Sequence, residues 1–331
     1  MEYDVYPRYL NVKANSWLAA LFVAVLLSAC GGGGGGGGDV DGRGTNGITD
    51  QVLVSLLAEV GAPQPIGLIN TDGFNWFNFR RQQIGLAPVT RNLLVERAAQ
   101  AHSDYQAANN QITHDEASNL PRFTGVTAFD RLQAAQYIFP KSGYALGEAI
   151  SASKDPSGVI NAEYLIAAIY HRSVIFESGF LECGIGSARG SRGLTYFTAE
   201  FTSTNLREGG LGLGYLVTYP FAGQQNLPTV FFSDEEKPDP VLDRNEVGYP
   251  ISVHTDIAGW LQVRSFTINR RGGEPLATKL LTSDTDANIP RPSFAAIIPL
   301  DVLESQTFYD VRFVGAVNGV SVDRFWSFKT R

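Results

Sequence analysis

Sulfur is almost missing from this chain of 331 residues, which has two cysteines and one methionine. Cys30 and Cys183 alone exclude a disulfide scaffold and any multi-cysteine zinc site. Histidine is also scarce, with four in all, so each is weighed individually. Charged residues make up only 18%, with 26 basic against 33 acidic and a net charge of −7. No Lys/Arg run of useful length appears, and a nucleic-acid surface, which needs a basic face, is thereby disfavoured. A long hydrophobic run is lacking too. The stretch Trp17 to Leu27 holds 11 apolar residues, which as a helix covers about half of a roughly 30 Å hydrocarbon core. What is present is 44% apolar residues, enough for buried cores and too many for a disordered chain. The length suggests about two domains.

The apolar run suits the h-region of a signal peptide better than a membrane span. It ends in Leu27-Ser28-Ala29-Cys30, which resembles a bacterial lipobox. That resemblance implies cleavage before Cys30, acylation of its sulfur, and an anchor of several acyl chains at about 0.8 kcal/mol per buried CH₂. The n-region, with Glu2 and Asp4, is longer and more acidic than such peptides usually have. Gly31 to Gly38 are eight consecutive glycines. Such a stretch has too much backbone entropy to fold and nothing to pack. It lacks the preceding strand and Gly-Lys-Ser/Thr end of a phosphate loop. Residues 1–29 are therefore expected to be a lipoprotein signal peptide and 30–66 a flexible tether. Gly31 stands where an Asp would favour inner-membrane retention, so the outer membrane of a Gram-negative envelope is the expected location.

Helical periodicity governs the next part. Phe77, Arg80, Arg81 and Ile84 fall at i, i+3, i+4 and i+7, and Gly85 closes that segment. Leu93, Leu94, Ala98, Ala101 and Tyr105 mark a second helix starting near Asn92, residues 124–136 a third, and 161–176 a fourth, with Ala162, Leu165, Ile166, Ile169 and Tyr170 on one face. Strands are then expected around 184–188 and 194–198, joined by a hairpin. Beyond Tyr215 short β-rich runs recur at 229–232, 251–254, 261–268, 308–313 and 325–328, separated by Gly, Pro, Asn and Asp. This is the pattern of an antiparallel sandwich.

The helical part carries a series of short motifs in order. They are Phe77-Asn78-Phe79-Arg80-Arg81, Gly85-Leu86-Ala87-Pro88, Ala98 to Tyr105, Ile112-Thr113-His114, Phe129-Asp130-Arg131, Gly147-Glu148-Ala149-Ile150, Tyr170 to Ile175, Gly184-Ile185-Gly186 and Tyr196 to Phe201. Together they resemble the bacterial branch of the CAP (SCP) superfamily, over roughly residues 70–205. The resemblance implies a CAP-type α-β-α sandwich, placed at 67–214; with the all-β domain expected at 215–331 the fold class is α+β, and residues 67–214 are expected to fold alone. The resemblance also implies a surface cleft that many members line with two His and two Glu, some binding a divalent metal there. His114 matches the first His, and Glu148 the Glu of a Gly-Glu-Asn motif whose Asn is here Ala149. The second Glu falls on Ala168 and the second His on Tyr196. His171 belongs to a Gly-His-Arg signature, here Tyr170-His171-Arg172, one turn past Ala168 on the same expected helix face.

His114, Glu148 and His171 offer two imidazoles and a carboxylate. Such a set can hold a catalytic zinc with a position left for water, and zinc or magnesium is the cofactor class it admits. Without metal, Glu148 can orient an imidazole as a general base. Equally, the three can stitch helices to sheet by hydrogen bonds. His102 reads as a packing or network residue, His254 as surface or interface, and Cys183 as a small buried thiol. No Gly-x-Ser-x-Gly elbow supports a serine hydrolase. Residues 219–228, 307–311 and 325–330 resemble the opening and closing strands of bacterial immunoglobulin-like envelope domains. The expected function is binding of a small apolar, lipid, cell-wall or partner ligand in the cleft by a membrane-anchored protein. The alternatives are a metal-dependent hydrolase using His114, Glu148 and His171, and a purely architectural envelope protein.

Overall fold

A computed structural model of the chain describes residues 51–206, 210–212, 214–289 and 291–331, and the backbone of residues 3–4 and 45–50. The expected cleavage site, Cys30 and the glycine run lie outside the described residues. Tyr3–Asp4 (β1) pairs in parallel with Glu236–Lys237.

The first helix, Thr45–Leu57 (α1), falls inside the stretch expected to be a tether to residue 66. Val52, Leu53, Leu56 and Leu57 form an apolar stripe that packs on the core, a signal hidden when composition is averaged over 30–66. Just beyond, Glu59 Oε2 lies 2.6 Å from Nη1 of Arg80. The described residues up to 66 are therefore folded where a flexible tether is expected.

Ile69–Gln83 (α2) is followed by the short strand Thr90–Arg91 (β2) and by Leu93–Asn109 (α3). Asn92 caps α3, its Oδ1 accepting the Leu94 N–H at 2.9 Å and the Val95 N–H at 3.4 Å. Ala128–Ala134 (α4) begins with a capping box between Thr127 and Asp130. Then come Ala145–Ser153 (β3), Gly158–Ala167 (α5), Ile169–Ile175 (α6), Glu182–Arg189 (β4) and Thr195–Ser203 (β5). The single helix expected at 161–176 is two helices, because Ala168 adopts an extended ψ of 123° between them.

The sheet order is β2-β4-β5-β3. Along β5 the side chains alternate between two buried faces. Thr198 turns to α3, where Ser103 Oγ donates to its hydroxyl at 3.0 Å. Phe197 and Phe201 turn to α2, with ring centroids 6.3 and 5.7 Å from Phe77. Helices α3 and α4 therefore cover one face and α2, α5 and α6 the other, an α-β-α sandwich.

The C-terminal part is all-β. Its strands are Val217–Tyr219 (β6), Val230–Phe232 (β7), Glu236–Lys237 (β8), Glu246–Gly248 (β9), Ile251–His254 (β10), Leu261–Arg270 (β11), Thr278–Thr282 (β12), Phe294–Pro299 (β13), Phe308–Val317 (β14) and Val320–Lys329 (β15). They form antiparallel sheets ordered β12-β13-β10-β6 and β11-β14-β15, with β7 paired to β9. Ile251, Val253 and Ile297 of the first sheet share a core with Ile268, Val311, Phe313 and Trp326 of the second.

That same apolar cluster continues into Phe176, Phe180 and the α2–α5 residues of the helical half. A second cluster embeds Ile169 and Tyr170 of α6 among Phe231, Val247, Leu281, Phe294 and Ile298. The two halves are packed through α6, and this shared core argues against independent folding of 67–214.

Candidate functional site

Glu148 lies mid-way along β3 and stands opposite Glu200 of β5 in the antiparallel register. Both point to the α3 face of the sheet, as Thr198 does. His114, in the loop past α3, places Nδ1 2.5 Å from Glu148 Oε1. The other carboxylate oxygen, Oε2, accepts a short hydrogen bond from Nη2 of Arg131 on α4. Arg131 also donates from Nη1 to the His114 carbonyl at 2.9 Å, and its Nη2 lies 3.7 Å from Glu200 Oε1. His102, on α3, completes the group. Its Nδ1 lies 2.9 Å from Glu116 Oε1 and its Nε2 lies 2.7 Å from the Thr113 carbonyl and 3.9 Å from Glu148 Oε2. Glu116 in turn accepts the N–H groups of Thr124 at 2.7 Å and Gly125 at 3.3 Å.

The cluster is almost closed. Arg131, His102, Glu116 and Glu200 are fully buried side chains, and His114 reaches the surface with only 7% of its side chain. Burial disfavours every charge here, so the partners decide the outcome. Burial pushes Glu148 up, but Arg131, His102 and His114 together outweigh it and hold its carboxyl well below the usual range. Glu200 goes the other way. Burial and then the Glu148 charge push it well above the ordinary value, against the pull of Arg131. Burial and the Arg131 charge lower His102, while Glu148 and Glu116 oppose that. Of two facing carboxyls, the one on Arg131 is thus driven toward its ionised form and the other toward its protonated form.

His171 is elsewhere. It is expected near His114 and Glu148 because one continuous helix would carry it a turn past Ala168. The break at Ala168 starts α6 as a new helix, and His171 turns toward the C-terminal half, where its Nδ1 lies 3.2 Å from Glu236 Oε1. The three residues therefore do not converge as a ligand set. Among the described residues no group of three or more His, Cys, Asp or Glu side chains is arranged to hold a metal ion. The donors that do meet, His114 and Glu148, have a guanidinium on them. A divalent zinc or magnesium does not fit beside that fixed charge.

The remaining positions follow from burial. Ala168 and Tyr196, standing where the resemblance places a Glu and a His, are both buried, at 1% and 2% exposure. His254 is an interface residue, its ring 5.6 Å from that of Phe176 on the helical half. Burial pushes the Cys183 thiol up. Sequence reasoning misses Arg131, Glu200 and Glu116 as site residues. The available signal for Glu200 is an acid inside the strand Thr195–Ser203, which is buried at every position. For Arg131 it is a base in the Phe-Asp-Arg motif.

The family comparison agrees with this geometry. Residues 74–201 match the family model described as the cysteine-rich secretory protein family, CAP, and this segment is a CAP domain. No curated protein matches the chain. Among solved structures, an extracellular protein containing an SCP domain from Bacillus anthracis str. Ames is 23% identical, with 40% of this chain and 39% of that one covered and a TM-score of 0.34. The chain thus spans well under half of that relative. An outer surface protein from Borrelia burgdorferi is 15% identical, with 39% of this chain and 88% of that one covered and a TM-score of 0.32.

Proposed function

We propose that this chain is a lipid-anchored cell-envelope protein whose CAP domain binds a ligand or partner at the His114 edge without catalysing a reaction. The observation that carries this reading is the Arg131–Glu148 pair. A carboxylate already neutralised by a buried guanidinium is a poor general base and a poor metal ligand. The ligand class is a small apolar molecule, a lipid or a cell-wall polymer, approached through the one imidazole of the cluster that reaches the surface. The C-terminal half is read as an immunoglobulin-like module that displays the CAP domain. Supporting this are its sheet orders, β12-β13-β10-β6 against β11-β14-β15, which in chain order are those of a seven-strand immunoglobulin sandwich. Tyr309 near the start of β14 adds support, since its hydroxyl accepts the Glu304 N–H at 2.8 Å as in a tyrosine corner.

Anchoring is assigned to Cys30 at the lipobox-like end of the apolar run. Among the described residues no helix is long and apolar enough to cross a membrane. Cys30→Ser is expected to release the protein from the membrane fraction, and a variant that stays membrane-bound would refute the anchor. The binding reading is tested by native mass spectrometry of protein purified from its producing cells. The expected result is a retained molecule that is lost in His114→Ala. Turnover of peptide or ester substrates abolished in Glu148→Gln would replace binding with catalysis.

A further inference from the structure

We infer that the junction of the two halves is a pH-operated latch, in which a proton on Glu177 completes a hydrogen-bond chain from the end of α6 through Ser178 to Asp256 of the β half. Glu177 and Ser178 lie just past α6, and Asp256 just past β10. Arg81 fixes the backbone there, its Nη1 donating to the carbonyls of Ile175 at 2.7 Å and Glu177 at 2.9 Å. The Ser178 hydroxyl oxygen lies 3.0 Å from Asp256 Oδ1 and 3.3 Å from Glu177 Oε1. Asp256 also accepts the N–H groups of Leu211, on Oδ1, and of Gly212, on Oδ2 at 3.0 Å. Leu211 and Gly212 stand between β5, the last CAP strand, and β6, the first strand of the β half.

A hydroxyl carries one proton, so Ser178 donates to one of its two carboxyls and offers the other only a lone pair. Asp256 is the nearer and already accepts two N–H groups, so it takes that proton. The Glu177 carboxyl then bonds to Ser178 only as an acid, donating its own proton to the hydroxyl oxygen. Without that proton, two carboxylates face one hydroxyl and a buried charge lacks water. The charged and titratable groups around Glu177 are Arg81 of α2, His254 of β10, Asp256 and Arg291. Burial pushes the Glu177 carboxyl up to about 7, and the Gly179 N–H, Arg291, the Ser178 hydroxyl and Arg81 do not offset it. Burial, Arg172 and Arg81 push the His254 imidazole well down, so it adds no cation. A small cavity lined from both halves, by Ser173, Glu177, His254, Thr255, Arg291 and Ser293 among others, gives the proton its route to solvent water. Beside it the halves are in close contact, since a Cβ on Gly179 would lie 3.0 Å from Ile257. Hydrating an ionised Glu177 therefore means parting the halves locally.

Amide hydrogen exchange on the full chain reads the latch through the protection factors of Leu211 and Gly212, corrected for the intrinsic pH dependence of exchange. In the wild type they should fall at least about tenfold between about pH 5 and 7.5, because the closed junction holds a proton that the open one releases. Glu177→Gln keeps a donor toward Ser178 at every pH, so its protection should stay high and flat. Ser178→Ala breaks the chain and leaves Glu177 buried. Its Leu211 and Gly212 should be poorly protected at about pH 5 and no longer follow pH, although its denaturation midpoint still does. Flat protection in the wild type overturns the latch. So does a pH-dependent loss that survives in Glu177→Gln or in Ser178→Ala.

Discussion

Glu236 and His171 meet across the two halves of the chain, with Oε1 of Glu236 3.2 Å from Nδ1 of His171 and both side chains fully buried. The same carboxylate accepts the backbone N–H groups of Ile169 and Tyr170, each at 2.7 Å. A residue of the β half thus caps the first turn of a helix in the CAP half. The neighbouring Arg172 reinforces the junction. Its Nη1 donates to the Pro250 carbonyl at 2.8 Å, and its guanidinium lies 4.8 Å from the Tyr219 ring centroid and 5.1 Å from that of Tyr249. The Tyr170-His171-Arg172 motif serves here as a socket for the second half.

From that relationship, Glu236→Ala should destabilise the protein by about 3–5 kcal/mol, because it strips a buried cap from two N–H groups and takes the carboxylate away from His171. Urea unfolding of the full chain measures this. A fragment of residues 67–214 should be less stable still, since it exposes Ile169, Tyr170 and Phe176 together with Arg172. A fragment as stable as the whole chain would show that the junction contributes nothing.

Gly186 on β4 allows α3 to lie directly on the sheet. A Cβ there would sit 2.3 Å from backbone atoms of Ala99 and Gln100, where nothing flexible is available to yield. Gly186→Ala should cost about 1–3 kcal/mol through forced separation of helix and strand. Thermal unfolding would detect it, and an unchanged midpoint would mean the helix is free to move away.

Glu177, at the same junction, faces Phe176, His254, Thr255 and Arg291 around a small cavity. Burial raises its carboxyl from an ordinary 4.5 to about 7, against the Gly179 N–H, Arg291, the Ser178 hydroxyl and Arg81. A raised folded value means the native state holds the proton more tightly than the unfolded chain. Its contribution is full below about pH 4.5 and is lost as pH rises through 7. Glu177→Gln should flatten that part of the profile and stabilise the protein at pH 8 by roughly 1–3 kcal/mol. Denaturation midpoints across pH 4–8 for both proteins decide this, and parallel curves would refute it.

Cys183 is fully buried and its thiol is pushed up by burial, so the reactive thiolate is scarce. If Cys30 is acylated, an aromatic disulfide reagent should find almost no thiol in the native protein and one per chain in denaturant. One thiol in the native state would point to a free Cys30 instead.

Much of the CAP half was legible along the chain because its signals are local. The Asn92 cap, the apolar stripe of α3 and the Gly85 stop each act within a few residues. The strand β3 was not legible. Ala145-Leu146-Gly147-Glu148-Ala149-Ile150-Ser151-Ala152-Ser153 is buried on both faces, so it shows no alternation of polar and apolar residues. For the candidate site, Glu148 and His114 were found by motif order and do meet. His171 was carried to the same place by helical spacing, and spacing holds only while a helix continues.

The amino-acid sequence by itself determined the CAP segment, the β character of everything past Tyr215 and the candidacy of His114 and Glu148, because these rest on short-range periodicity and motif order. Tertiary structure alone decided that Arg131 sits on Glu148, that Glu200 faces it, and that His171 serves the junction. The physical reason is that a buried ionisable group takes its role from whichever charges the fold brings within a few ångströms. Those partners come from separate strands and helices whose approach no local pattern encodes.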